Sequence, residues 1–381
     1  MQFNLYIGNH GKQDGIEDFV EIISNILSTR GHEVTVLSEL KTDCPNIIID
    51  EFTNIIENRK IATFKKNHPE IKLIYLLTEF VESKYGMRSY NFFGNVFDAA
   101  KISVFNLLIR YKRKDLPSAS FYDYLILFLL LPFLFIYISY FLLAYCFIKK
   151  RRVYIRKTEF KKHLHVMAYQ HFRYLGLLKM VKYADLLIFS HGSIKNGIEQ
   201  IIENKITVIG DTIYPEIEKE AVIDRLFENK VLGIEMTGTI TKYRQKWISL
   251  IDASILNLGL KYFFGLCDRR SFSDKKDDSK PGLAYSLHPP QNKVWKYSSP
   301  TRIYRALVYE YNLPILTKYF GQHPIEDICL VYAGDEFFIQ LYEFYHNKQL
   351  AVDYLTPRLD KYLQLSIMEN NKVVQQLTSL N

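Results

Sequence analysis

Phe3 to Leu37 reads FNLYIGNHGKQDGIEDFVEIISNILSTRGHEVTVL, and this stretch decides the fold class. Phe3 to Ile7 is a short apolar run of strand character, closed by a glycine-bearing turn at Gly8-Asn9-His10-Gly11. Ile16, Phe19, Val20, Ile22, Ile23, Ile26 and Leu27 then recur at helical spacing, which predicts an amphipathic helix. Gly31 supplies the stop, and His32 to Leu37 begins the next strand. Strand, helix and strand in this order form a βαβ unit, whose strands run parallel because the return is made by a helix.

The same alternation continues outward. Asn46 to Ile49 (NIII), Lys72 to Leu77 (KLIYLL), Ala184 to Phe189 (ADLLIF) and Ile206 to Ile209 (ITVI) read as buried strands. Helical stretches lie between them, including Phe160 to Tyr183, and a Ser190-His191-Gly192-Ser193 turn precedes another. Such a pattern predicts a parallel sheet with helices on both faces. A second α/β unit starts near Leu232. Its strand Leu232 to Met236 runs into Thr237-Gly238-Thr239-Ile240-Thr241 and a helix from about Lys242 to Leu258. Strands at Tyr262 to Leu266, Ala284 to Leu287, Pro314 to Leu316 and Ile328 to Tyr332 follow, with a helix over Ser299 to Tyr311 and a helical remainder. With 381 residues, two domains are expected.

Composition narrows the class. Hydrophobic residues are 48% and charged residues 24%, a globular balance that excludes disordered, collagen-like and many-spanning membrane proteins. Cys44, Cys146, Cys267 and Cys329 show no CxxC or Cys/His spacing, so neither a structural zinc site nor a disulfide scaffold is expected, and a reducing compartment fits. The net charge of +8 is local. Residues 105–165 carry twelve Lys and Arg against Asp115, Asp123 and Glu159, so the rest of the chain is close to neutral. No aromatic-studded basic groove appears, and nucleic acid is not an expected partner.

That basic segment flanks Tyr124 to Ile148, YLILFLLLPFLFIYISYFLLAYCFI, 25 residues without a formal charge. As a straight helix it would span about 37 Å, against about 30 Å of bilayer hydrocarbon. RYKRK before it and KKRRVYIRK after it place both ends on one side under the positive-inside rule, and Pro132 favours a break. A re-entrant or shallow membrane-associated helix is therefore expected, with membrane lipids as partners of residues 124–148. A single crossing is the second choice and a buried helix in a soluble core the third. The cytoplasmic face of an inner or plasma membrane follows as the location. The domain division is then 1–120 and 159–228 for a first Rossmann-like domain, 121–158 for the hydrophobic insert with its basic flanks, and 229–381 for a second Rossmann-like domain.

Ligands of paired α/β domains sit in the cleft outside the carboxyl ends of the strands. Three loops would face it. In the first, Asn9, His10 and Asp14 are polar, and a histidine there has the pKa for accepting a proton from a hydroxyl. Glu79, just after KLIYLL, is an alternative base, and His191 and His288 are further candidates. In the second loop, Thr237, Gly238 and Thr239 form a turn that permits close approach of a phosphate to backbone N–H groups, with Arg244 one turn into the helix. In the third, Ser298, Ser299, Pro300 and Thr301 open a helix whose Arg302 and Arg305 share a face, an arrangement suited to a diphosphate. A GxxxxGK[ST] phosphate loop is absent, which counts against an ATPase or GTPase.

RGHEV at Arg30 to Val34, TGTITKYR at Thr237 to Arg244 and SPTRIYRAL followed by NLPIL between Ser299 and Leu316 together resemble GT-B glycosyltransferases. The resemblance implies an α/β fold of two Rossmann-like domains, the first binding acceptor and the second a nucleotide-sugar donor. It implies Arg302 or Arg305 at the diphosphate and Glu310 at the ribose. It also implies no metal held by a DxD motif and no cofactor beyond the nucleotide-sugar co-substrate. The Glu-x7-Glu pair of many retaining members is not clearly present. The expected activity is transfer of a sugar to a cell-surface glycan or lipid-linked acceptor. A non-catalytic, membrane-anchored nucleotide-binding or scaffold module is the alternative.

Overall fold

A computed structural model of the chain describes residues 1–8, 16–49, 52, 55–79, 173, 176–202, 208–225, 232–237, 242–259, 264–269, 282–286, 301–308, 313–316, 319 and 323–380, with positions 125, 128, 129, 131, 132, 135, 136 and 139. The first half holds β1 (Gln2–Tyr6), α1 (Ile16–Ser28), β2 (Glu33–Leu37), β3 (Asn46–Ile49), α2 (Ile55–Asn67), β4 (Leu73–Leu77), β5 (Leu186–Phe189), α3 (Gly192–Ile202), β6 (Val208–Thr212) and α4 (Lys219–Arg225). The second holds β7 (Leu232–Thr237), α5 (Lys242–Asn257), β8 (Phe264–Arg269), β9 (Gly282–Ser286), α6 (Thr301–Val308), β10 (Ile315–Leu316), β11 (Leu330–Val331), α7 (Asp335–His346) and α8 (Lys348–Thr378).

Two sheets result. Strand order in the first is β2-β1-β3-β4-β5-β6, and in the second β11-β10-β9-β7-β8. Every pairing in both is parallel. This is the α/β class the sequence predicts. The inner strands β1, β3, β4 and β5 of the first sheet are apolar on both faces because both are covered. Phe3, Leu5, Ile47, Ile49, Ile74, Leu76, Leu186 and Ile188 enter one core cluster, while Ile48, Leu73, Tyr75, Leu77, Leu187 and Phe189 enter the other. The period of two along each strand is what divides them. Asn4 and Asn46 are the polar exceptions on paired strands. Asn4 Nδ2 donates to Asn46 Oδ1 at 2.8 Å, and Asn46 in turn clips the Lys41 backbone N–H and carbonyl, each at 2.8 Å.

The ITVI strand expected at 206–209 lies at Val208–Thr212 instead. Its pairing with β5 shifts register between Leu187 and Phe189, and the polar end of the strand is held from outside by α8. Asn370 Oδ1 accepts from the Tyr214 N–H at 2.9 Å while its Nδ2 donates to the Tyr214 carbonyl at 2.7 Å. Gln376 does the same with Asp211, accepting from its N–H at 3.1 Å and donating to its carboxylate at 2.8 Å. Two side-chain amides thus occupy edge groups that would otherwise offer a template for another strand. The helix lies within the 229–381 span of the second unit, yet it packs on the first sheet. One core cluster accordingly runs from Phe3 and Ile23 through Ile303, Leu316 and Phe338 to Leu355 and Leu377.

Among the described residues, no helix is long and apolar enough to cross a membrane. Most of Tyr124–Ile148 lies outside the described residues. The eight described positions in it are helical, and Leu125, Phe128, Leu129, Leu131, Phe135 and Ile136 are exposed, Phe128 at 71% and Phe135 at 72%.

Candidate functional site

The order of each sheet fixes where a ligand would sit. In the first, β2 lies on one side of β1 and β3 on the other, so the chain reverses direction across the sheet between β1 and β3. In the second, β8 and β9 flank β7 in the same way. Loops leaving the carboxyl ends at such a reversal diverge and open a crevice. The first reversal falls between the Gly8 turn and the β3–α2 connection, and the second at the carboxyl end of β7, where Thr237 ends the strand.

Gly8 has φ +55°, a conformation that favours glycine, and a Cβ there would stand 3.2 Å from Cδ of Glu57 and 3.3 Å from its Oε1. Glu57 is in the first turn of α2 and 1% exposed, and burial pushes its carboxyl above the ordinary value, with Lys60 pulling the other way. Across the same connection, Phe52 has φ 56°, a strained value for a bulky residue. Its carbonyl accepts from Asn58 Nδ2 at 2.8 Å. Gly176 packs so closely that a Cβ would meet that carbonyl oxygen at 1.8 Å. The helical stretch at 176–180 therefore clamps the β3–α2 turn from behind. Glu57 was not singled out from the sequence, because a lone carboxylate in a helical stretch carries no mark of its burial.

Further along the same edge, Glu79 follows β4 and its Oε2 lies 3.7 Å from Nη1 of Arg173, which is 2% exposed. Glu79 thus faces a buried guanidinium, a role in charge compensation that sits beside the expected one in catalysis. Ser190 and His191 end β5, and both are buried. His191 Nδ1 accepts from the Ser193 N–H at 2.9 Å, capping α3 as the turn pattern predicts.

From the second sheet, α6 and the segment after β10 reach this edge. His323 caps the short 3-10 helix Pro324–Asp327: its Nδ1 accepts from the Ile325 N–H at 3.1 Å, and Glu326 Oε1 accepts from the His323 N–H at 3.0 Å. Tyr304 on α6 meets His323 Nε2 at 2.6 Å and donates to the Ser190 carbonyl at 3.2 Å. Rings of His191, Tyr214 and Tyr304 surround the His323 ring at centroid distances of 5.0, 5.2 and 5.4 Å. Burial holds the Tyr304 phenol well above its ordinary pKa, and that of Tyr214 is raised to about 12. Both therefore stay protonated. Segments leaving the carboxyl ends of the two sheets thus touch at Ser190, Tyr304 and His323.

The sequence-predicted site residues fall into three groups. Asn9, His10, Asp14, Gly238, Thr239, Ser298, Ser299, Glu310 and His288 lie outside the described residues. Thr237 is placed as the last residue of β7, Arg244 in the first turn of α5, and Thr301 and Arg302 at the start of α6, by backbone alone. Arg305 is placed in full. Its Nη1 lies 3.4 Å from Oδ1 of Asp18 on α1, which is 3% exposed, so this guanidinium ties α6 to the first unit. Among the described residues, no group of three His, Cys, Asp or Glu is arranged to hold a metal ion.

No protein-family profile matches the chain, and no curated protein matches it in sequence. Solved structures do. Anabaena Alr3699/HepE in complex with UDP-glucose is similar over 100% of both chains, at 8% identity and a TM-score of 0.44. The same protein with UDP and glucose gives 8% and 0.43. An alpha-glucosyltransferase in complex with UDP and a 13-mer DNA containing an HMU base is similar over 100% of this chain and 99% of that one, at 9% identity and a TM-score of 0.40.

Proposed function

We propose that the chain is a glycosyltransferase that moves a sugar from a nucleotide-sugar donor at the second sheet to an acceptor hydroxyl at the first. The observation that carries the reading is the pair of strand-order reversals, at β1/β3 and β7/β9, in two parallel sheets joined through Tyr304, His323 and Ser190. The sequence resemblance at Thr237–Arg244 and Ser299–Leu316 points the same way.

On this reading Thr237, Gly238 and Thr239 approach the donor with backbone N–H groups, and Arg244 closes the side. Ser298, Ser299, Thr301 and Arg302 bind the diphosphate at the positive start of α6, and Glu310 binds the ribose. Arg305 stands one turn further and acts through Asp18. Asn9 and Asp14 orient the acceptor. His10, with Glu79 as the alternative, takes the hydroxyl proton as the acceptor oxygen bonds to the sugar's anomeric carbon. The bond from that carbon to the diphosphate breaks with its electron pair, and a nucleoside diphosphate leaves. Arg302 and the α6 N-terminus stabilise the charge that develops on it.

The acceptor is a glycan or a lipid-linked sugar. The exposed apolar side chains at 125–136 support a membrane partner, because a helix buried in the protein core would have them covered. Basic runs on both flanks add attraction to anionic headgroups, in keeping with a position on the cytoplasmic face of a membrane.

The test is calorimetric titration of the detergent-solubilised chain with UDP, UDP-glucose and other nucleoside diphosphates, beside Arg302→Ala and Arg305→Ala. Selective binding is expected, weakened about tenfold or more in Arg302→Ala for a lost charge-assisted contact and less in Arg305→Ala. Absence of binding to every nucleotide overturns the reading and leaves the scaffold alternative.

A further inference from the structure

We infer that Tyr304 and His323 are a positioning pair that holds the donor-side helix α6 against the carboxyl edge of the first sheet, setting the separation of the two substrate sites. The inference rests on the two-site reading above, but the contact it concerns is independent of any substrate.

The hydrogen bonds fix a direction. His323 Nδ1 accepts from the Ile325 N–H at 3.1 Å, so in the neutral ring the proton resides on Nε2. That N–H donates to the Tyr304 hydroxyl at 2.6 Å. The hydroxyl, its acceptor side engaged, donates to the Ser190 carbonyl at 3.2 Å. One chain of donors thus runs from the 3-10 helix after β10, through α6, to Ser190, the residue that follows β5. At its far end Ser190 is anchored in turn, with its N–H donating to the Leu77 carbonyl at 3.1 Å. Every member is buried: Tyr304 is 1% exposed, Ser190 1% and His323 3%.

The Tyr304 hydroxyl reaches a backbone carbonyl beside the other sheet, just past the end of β5. On the same helix, one residue later, Arg305 reaches Asp18 of α1. Tyr304 and Arg305 therefore tie α6 to two separate places in the first unit, the end of β5 and α1, and Arg302 lies one turn before Arg305. The ring of His323 has no slack either, since His191 and Tyr214 of the first unit and Tyr304 all lie against it. Displacing α6 from the first sheet requires breaking this chain, and any such displacement moves the diphosphate-binding end of α6 away from the acceptor edge.

Three variants separate the roles. Tyr304→Phe keeps the ring and removes the hydroxyl. His323→Asn keeps an acceptor for the Ile325 N–H but falls short of Tyr304. His323→Gln extends to Tyr304 and gives up the cap. Amide exchange is followed at Ser190, Ser193 and Ile194 on one side and at Ile325 on the other, together with UDP affinity and the kcat and KM of sugar transfer. Tyr304→Phe and His323→Asn are expected to speed exchange at residues 190–194 about tenfold, the scale of one lost buried hydrogen bond. Ile325 should stay protected in His323→Asn. UDP affinity should change less than about threefold while kcat falls about tenfold or more, as misplacement of bound groups would produce. His323→Gln should restore kcat and protection at 190–194 while exposing Ile325.

Unchanged exchange at 190–194 in both Tyr304→Phe and His323→Asn overturns the inference, as does a loss confined to UDP affinity. Should Tyr304→Phe fail to fold, the two His323 variants decide alone: equal behaviour at 190–194 would overturn it. A wild-type chain that binds no nucleotide would remove the proposed activity, yet the exchange pattern would still decide whether the pair holds the units together.

Discussion

Helix α8 and the segment Tyr124–Ile148 both carry many apolar side chains, and they meet their surroundings in opposite ways. Along α8 the buried positions Ala351, Leu355, Leu359, Tyr362, Ser366, Asn370, Val373, Val374 and Leu377 recur at spacings of three and four, a stripe that covers the edge of the first sheet. The described positions of the other segment leave Phe128, Leu129, Phe135 and Ile136 more than half exposed. In α8 charged residues such as Asp360, Lys361 and Lys372 occupy the remaining surface. In Tyr124–Ile148 no position is charged. A stripe needs one partner, and the protein supplies it. A stretch without a charged position calls for apolar surroundings of its own, and the proposed membrane partner is the one that Phe128→Glu tests.

The largest effect that tests this contrast is on the α8 side. Leu355 is fully buried in the cluster that joins the two units. Leu355→Ala should cost about 2–5 kcal/mol, the range for a large-to-small change in a packed core. Differential scanning of the detergent-solubilised chain would show it as a lowered unfolding temperature. A loss well below that range would mean that α8 only leans on the sheet, and the contrast with the insert would weaken.

Next comes the insert itself. Phe128→Glu is expected to leave the unfolding temperature close to that of wild type, since that side chain is 71% exposed. It should weaken binding to vesicles containing anionic lipid about tenfold or more, because burial of a phenylalanine contributes about 1.5–3 kcal/mol. Flotation with anionic and with zwitterionic vesicles reads both the apolar and the basic contribution. A variant that unfolds the protein and floats as before would place Phe128 in the protein core and remove the proposed membrane contact.

What the sequence could convey follows from how local each signal is. The β1–α1–β2 unit was legible because its apolar positions, Phe19, Ile22, Ile23, Ile26 and Leu27, are the ones buried and Gly31 ends the helix at φ +77°. NIII and LIYLL were legible as strands because burial on both faces demands unbroken apolarity. The destination of α8 was not, since Asn370 meets Tyr214 across 156 positions and an asparagine in a helix carries no mark of its partner. In the site, the glycine turn after β1 and the threonine at the end of β7 were read from turn chemistry. Tyr304 and Glu57 were missed because an aromatic residue or a carboxylate at helical spacing reads as core or surface. One signal was available: His323-Pro324-Ile325-Glu326 is a capping sequence with proline at the first helical position.

The smallest effect sharpens how α8 is fastened. Asp211 on β6 is held by Lys195 at 2.7 Å and by Gln376 of α8 at 2.8 Å. Its carboxyl lies below the ordinary value, chiefly through the hydrogen bond from Lys195, then that cation's charge and Gln376, with burial opposing. A carboxylate whose folded pKa is depressed stabilises the fold above its unfolded pKa, and that contribution disappears as pH falls through the folded value. The pair is partly exposed, so the contribution should be below about 1 kcal/mol. Amide exchange at Asp211, whose N–H donates to Gln376, measures it locally. Wild type should be better protected than Asp211→Asn at pH 7, and the difference should close on acidification below the ordinary carboxylate range, where the wild-type side chain is also neutral. A difference that stays constant into that range would show that Gln376 grips the backbone alone and that the charge on Asp211 has no part in holding α8 to the sheet.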